Sequence, residues 1–177
     1  MDKPIPQWQI GGFVFTAVLG TLLHFLFDWT GGNVVAALFS AVNESIWEHM
    51  KLLYYPMLLF AFWEYRFWGQ EIPGFWCIKL AGTLLGLGLI PVIYYVYTGI
   101  GGVNADWFNV TIFFLAAGAA LWTETKLFQK GALWGSCKLA PILLLLIGVA
   151  FTLLTFWPPR IPLFRDPVTG TYGFSAL

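Results

Sequence analysis

Five long apolar runs, parted by short polar or glycine- and proline-bearing stretches, dominate the chain at residues 10–28, 49–67, 75–97, 107–128 and 139–157. A helix needs about 20 such residues to cross roughly 30 Å of hydrocarbon. Lipid offers exposed peptide groups no hydrogen bonds, so runs of this kind must satisfy their own backbone as helices. The pattern predicts an all-α integral membrane bundle of about five transmembrane helices, one transmembrane domain over residues 1–177 that ends in a tail, 158–177. Trp8, Trp29, Trp68, Trp76, Trp107, Trp134 and Trp157 sit near the run ends, where aromatic belts mark the membrane interface.

The joints between runs carry their own signals. Gly31 and Gly32 break the first run, and Asn33 is placed to cap a short helix that lies along the interface or re-enters the bundle before the second span. Gly82 and Gly86 form a GxxxG spacing on the third span, and residues 116–120 are a small-residue run on the fourth; both are expected to mark close packing within the bundle. After Trp157 the prolines forbid a helix, and Asp166-Pro167 and Thr169-Gly170 are turn signals. Phe164, Tyr172 and Phe174 make this tail too aromatic for a disordered one, so it is expected to fold back onto the bundle.

Composition agrees with lipid as the main partner of the surface. Only 10% of the residues are charged, against 59% hydrophobic, whereas a soluble domain carries about a quarter charged residues. The net formal charge of zero leaves no basic footprint for nucleic acid. Cys77 and Cys137 show no zinc-site or redox spacing and are read as two unpaired small residues. The first run lacks a cleavage-site pattern and is expected to be a retained helix. Five spans put Lys3, Arg66, Lys79, Lys126, Lys130 and Lys138 on one side, and Lys51, Arg160 and Arg165 on the other. The positive-inside rule then predicts a cytoplasmic N-terminus, an extracytoplasmic C-terminus, and both cysteines near the reducing face.

Two constellations gather on the side of the tail. On the first span Gly12, Thr16, Gly20, His24 and Asp28 recur every four residues, a small and polar stripe expected to face the interior. Asp28 lies one turn beyond His24, so its carboxylate is placed to hold one imidazole nitrogen and leave the other for a metal or a proton. The second is the run from Asn43 to Lys51. Read as a helix, it sets Glu44, Glu48 and Lys51 on one face, and two carboxylates four apart need a cation, a shared proton or a basic partner. Lys51, Arg160, Arg165 and a bound metal are the choices. On an undistorted helix Glu44 and His49 are too far apart in angle to hold one ion, so His24, Glu48 and His49 are the expected metal ligands, for a divalent cation such as zinc. The competing readings are a packing histidine satisfied by its carboxylate and an interfacial helix with a solvated charged face. Glu64 with Arg66, and Glu124 with Lys126, read as interfacial charges.

His24-Phe25, Asp28-Trp29, the run from Val42 to Leu52 and the tail from Pro162 to Gly173 resemble a family of small bacterial membrane proteins known as a domain of unknown function. That resemblance implies a multi-pass protein of the bacterial cytoplasmic membrane and supplies no activity. The residues themselves point to a polar pocket at the outer membrane face. One reading is a membrane-embedded hydrolase or transferase acting on a lipid-type substrate, with His24, Asp28, Glu44, Glu48 and His49 as catalytic candidates. Arg160, Arg165 and Lys51 would then meet an anionic head group. The other readings are a component that binds or transports a small solute or ion, and an accessory structural subunit.

Overall fold

The computed structural model describes residues 5–102, 105–131 and 137–174. Lys3 and Trp134, named above, lie outside the described residues. Six helices follow in order: α1 Ile5–Trp29, α2 Val34–Ala37, α3 Ile46–Phe67, α4 Phe75–Gly101, α5 Asp106–Lys130 and α6 Ala140–Phe156. The described residues form no β-strand; Arg165 and Tyr172 make an isolated bridge in the tail. The protein is an all-α bundle, and α1, α4 and nearly all of α5 are long and apolar enough to cross a membrane. The other two predicted spans differ in kind. Helix α6 is apolar but only 17 residues long. Helix α3 has 22 residues but carries Glu48, Lys51, Glu64 and Arg66.

The outward faces are what lipid requires. Ile10, Val14, Val18 and Leu22 form an exposed stripe along α1, and Ile142, Leu145, Leu146, Val149 and Leu153 do the same on α6. Gly12, Thr16 and Gly20 are buried on the opposite face of α1. Helix α1 packs on α3 and α5, and α4 lies along α5. The core joins Leu53, Tyr54 and Met57 of α3 to Leu87 of α4, Ala116 and Ala120 of α5, and Phe151 of α6. Small residues set these distances. A Cβ on Gly20 would lie 2.6 Å from the Phe113 ring and 2.7 Å from the Leu52 carbonyl oxygen. One on Gly86 would lie 2.7 Å from a Leu53 methyl group, so the GxxxG face packs inside the bundle.

The connection from α1 to α3 is short and highly bonded. Asn33 caps α2 by accepting from the Val35 amide at 2.8 Å, as expected, but that helix stops after four residues. The Asn43 side chain accepts from the Ser45 amide at 2.9 Å, and Ser45 then caps α3 by accepting from the Glu48 amide at 3.4 Å. Helix α3 therefore starts at Ile46, and Glu44 precedes it. Behind this turn lies a buried ion pair. Lys51 Nζ is 2.6 Å from Glu48 Oε2 and donates to the Ala37 carbonyl at 3.0 Å and to Thr155 Oγ1 at 2.9 Å. Glu48 also accepts from the Thr155 hydroxyl at 2.8 Å and the Val42 amide at 3.2 Å.

The tail docks on the same end. Phe164 is buried against Trp47, and Phe174 packs on Phe27 and Phe156. The Phe174 amide donates to the Thr155 carbonyl at 2.7 Å, and Asn43 Nδ2 donates to the Gly173 carbonyl at 3.1 Å. Gly173 has φ +61°, and a Cβ there would lie 2.5 Å from the Thr155 carbonyl oxygen. Asp166 closes the turn: it accepts from the Val168 amide at 2.7 Å and the Thr169 hydroxyl at 2.8 Å.

Three expectations are corrected. Cys77 and Cys137 form a disulfide, with Cα atoms 5.6 Å apart, and are not free thiols. The partners are 60 residues apart, joined only because the first turn of α4 meets the stretch leading into α6. Trp68 is buried among Phe75 and Phe128 instead of lying in an interfacial belt. Glu64 and Glu124 are fully buried, and both are ion-paired with Lys79.

Two stability predictions follow from the bonding around α3 and the tail. Glu48→Gln leaves the Lys51 ammonium enclosed without a counter-charge, a loss of about 3–5 kcal/mol. For a chain of this size the melting temperature in detergent should fall by roughly 6–20 °C; a change within error would mean the pair is solvated. Asp166→Asn should cost about 2 kcal/mol, because it removes charged acceptors. Burial pushes the Asp166 carboxyl up, but the Val168 and Thr169 hydrogen bonds outweigh it and hold the group below the ordinary aspartate range. The stabilisation is therefore present above that range and is lost as pH falls through the depressed folded value. Proteolysis of the tail should accelerate on acidification in the wild type and show a weaker acid dependence in the Asn variant.

Candidate functional site

His24 sits on α1, one turn beyond Gly20, and the close approach that Gly20 permits brings its ring beside the first turns of α3. There it meets His49, with ring centroids 5.2 Å apart. Glu44 completes the group: its two carboxylate oxygens lie 3.9 Å from His24 Nε2 and 3.4 Å from His49 Nε2. One ligand atom from each of the three falls within 4.8 Å of the others. All three side chains are partly exposed, at 29%, 28% and 51% for His24, His49 and Glu44, so the group is open to solvent on one side.

The tautomer of His49 follows from its bonding. Its Nδ1 is 2.9 Å from the Ser45 carbonyl oxygen. A carbonyl only accepts, so Nδ1 carries the hydrogen and the Nε2 lone pair of the neutral ring points toward Glu44. A backbone carbonyl that fixes the ring in this way is the usual outer partner of a metal-ligating histidine. His24 has no such partner: its Nδ1 is buried without a hydrogen bond among the described residues.

The other predicted site residues divide. Glu48 and Lys51 are on the same end of the bundle but are buried, paired with each other, and not part of the group around the two imidazoles. Asp28 is exposed in the last turn of α1, not turned inward with Gly12, Thr16 and Gly20, and does not hydrogen-bond His24 Nδ1. Arg160 and Arg165 are exposed in the tail. Thr155, which no motif announced, ties Lys51 and Glu48 to α6.

A cavity of about 460 Å³ opens beside the group, lined at its polar end by His24, Glu44 and His49. Leu52, Ile90 and Phe113 form apolar walls, and Pro167 and Val168 of the tail close one side. Thr21, Phe25, Val110 and Phe114 also line it, and these four are exposed on the flanks of α1 and α5. The lining is thus apolar for most of its extent, with Thr21, Tyr94 and Asn109 as further polar members beside the histidine group, the usual make-up of a ligand site.

Neither a curated protein nor a solved structure matches the chain. One family model does, over residues 2–174, and its description is "Family of unknown function (DUF6512)". The match spans nearly the whole length, helices, histidines and tail included, and on that ground the chain belongs to this family of unknown function.

Proposed function

We propose that His24, Glu44 and His49 bind a divalent transition metal such as zinc, and that the protein is a membrane-embedded hydrolase or transferase acting on a lipid-type substrate held in the adjoining cavity. The convergence of two imidazole Nε2 atoms on one carboxylate carries the reading. Two histidines and one glutamate with an open fourth position is a ligand set of catalytic zinc sites. The opening toward solvent leaves room for a water that the metal would acidify. The walls support the substrate class: Phe25, Val110 and Phe114 are at once cavity lining and exposed surface, so an apolar chain can enter sideways from the bilayer. Glu48 belongs to the support of the site: held by Lys51, it fixes the turn that presents Glu44.

The membrane address extends this reading. We take the five helices α1, α3, α4, α5 and α6 as five spans of one transmembrane domain in a bacterial cytoplasmic membrane. Arg66, Lys126, Lys130 and Lys138 are exposed at one end of the bundle, and Arg160 and Arg165 at the other. The positive-inside rule then puts the N-terminus in the cytoplasm and the cavity in the outer leaflet. The Cys77–Cys137 disulfide, at the lysine-rich end, pulls the other way, since such bonds persist in oxidising compartments. Reporter fusions after residue 130 decide: a cytoplasmic signal is expected, and an external one would move the cavity to the inner leaflet.

Metal binding is tested directly. Purified protein titrated with zinc should bind one equivalent. His24→Ala, His49→Ala and Glu44→Gln should each weaken binding by at least about 100-fold, more than loss of an outer partner costs. Affinity should fall as pH drops, because both imidazoles must shed their protons to bind. Zinc binding that survives all three substitutions would place the metal elsewhere and remove the basis of the enzyme reading.

A further inference from the structure

At the opposite end of the bundle from the cavity, four helices each send one polar side chain to a common point. Gln9 comes from α1, Glu64 from α3, Lys79 from α4 and Glu124 from α5. None is more than 3% exposed. Lys79 Nζ is 2.5 Å from Glu64 Oε2 and is also hydrogen-bonded to Glu124 Oε2. Gln9 Nε2 donates to Glu64 Oε1 at 2.6 Å. Phe75 and Phe128 lie about the ammonium, with ring centroids 6.0 and 5.9 Å away, and Trp68 packs on both rings.

The charges do not balance. Two carboxylates face one lysine, and no other ionisable side chain joins them among the described residues. A net negative charge enclosed by apolar rings and lipid-facing helices is neutralised by a proton or by a cation. The bonding distinguishes the two carboxylates. Glu64 accepts from the Gln9 amide on Oε1, and its Oε2, which makes no hydrogen bond, lies in the ion pair with Lys79. Glu124 has one oxygen on Lys79, while Oε1 is buried without a hydrogen-bond partner among the described residues. An ionised Glu124 would have only the Lys79 ammonium, shared with Glu64, to stabilise it. The group is pressed against the backbone at Gly82, where a side chain of any size would displace it.

We propose that this cluster is a proton-binding site: Glu64 and Lys79 form the ion pair, and Glu124 carries one exchangeable proton taken from the aqueous phase. The site is separate from the histidine cavity and stands whether or not that cavity binds a metal. Its four contributors come from four helices, so release of the proton would leave a repulsive charge at the point where α1, α3, α4 and α5 meet. The packing of the bundle is thereby linked to proton occupancy.

Infrared spectroscopy of the purified full chain tests this. The wild type at neutral pH should show the carbonyl stretch of a protonated carboxylic acid, shifted on deuteration; Glu124→Gln should lose it, and Glu64→Gln, which leaves one carboxylate facing one lysine, should lose it as well. Thermal melting gives an independent readout. Glu124→Gln replaces a neutral acid by a neutral amide, so its melting temperature at neutral pH should lie within about 4 °C of wild type. At alkaline pH the variant should melt above the wild type, which loses the proton. Should that variant fail to fold, the wild-type band still serves: it must disappear in step with the alkaline fall in melting temperature. Absence of the band, its survival in Glu124→Gln, or stabilisation by sodium or potassium over choline without any band would overturn the proposal.

Discussion

The cavity end of this protein depends on one ion pair that lipid would not tolerate unpaired. Lys51 points into the bundle from the second turn of α3, and an ammonium there needs a counter-ion and further acceptors. Glu48 supplies the charge, Thr155 and the Ala37 carbonyl the remaining bonds. In meeting that need the pair draws α2, α3 and α6 together. Glu48 also reaches back to the Val42 amide, which fixes the non-helical turn before Ser45. Glu44 is left free to lie between two imidazoles, and the tail is left a platform at Thr155 on which to dock.

The bundle has a polar group at each end, and the two are built differently. The histidine group is half exposed, has spare ligand capacity and adjoins a cavity. The Gln9–Glu64–Lys79–Glu124 group is buried, with Phe75, Phe128 and Trp68 packed about it. The long apolar stretches of α4 and α5 between them carry no charged side chain, which separates the two sites chemically.

Much of the architecture was legible in the sequence because lipid imposes simple rules. Apolar runs of bilayer length, a glycine break after Trp29, an Asn33 cap and an aromatic tail each have one inexpensive structural solution in a membrane. The observed helices match those runs to within a few residues. Gly12, Thr16 and Gly20 of the stripe face inward, since only small residues permit the approach of α3 and α5, while His24 is partly exposed. The stripe failed at Asp28, where the helix end leaves the bundle and water becomes available.

What only the tertiary structure decided is the partner of each ionisable group. Periodicity assigns a residue to a face but not to a neighbour, and it assumed a helix through Glu44 where Ser45 begins one. That single capping hydrogen bond exchanged the roles of the two glutamates: Glu44, free of helical geometry, joins the histidines, and Glu48 faces Lys51. Cys77 and Cys137, and likewise Glu64, Lys79 and Glu124, lie tens of residues apart and meet only because antiparallel helices bring their ends together. The sequence alone determined that this is a lipid-facing helical bundle with few charges, because burial of apolar surface and backbone satisfaction are local demands. Which of those charges are structural and which are open to a ligand was set by long-range packing, because a charge in a low dielectric is governed by whatever the fold places within a few ångströms of it.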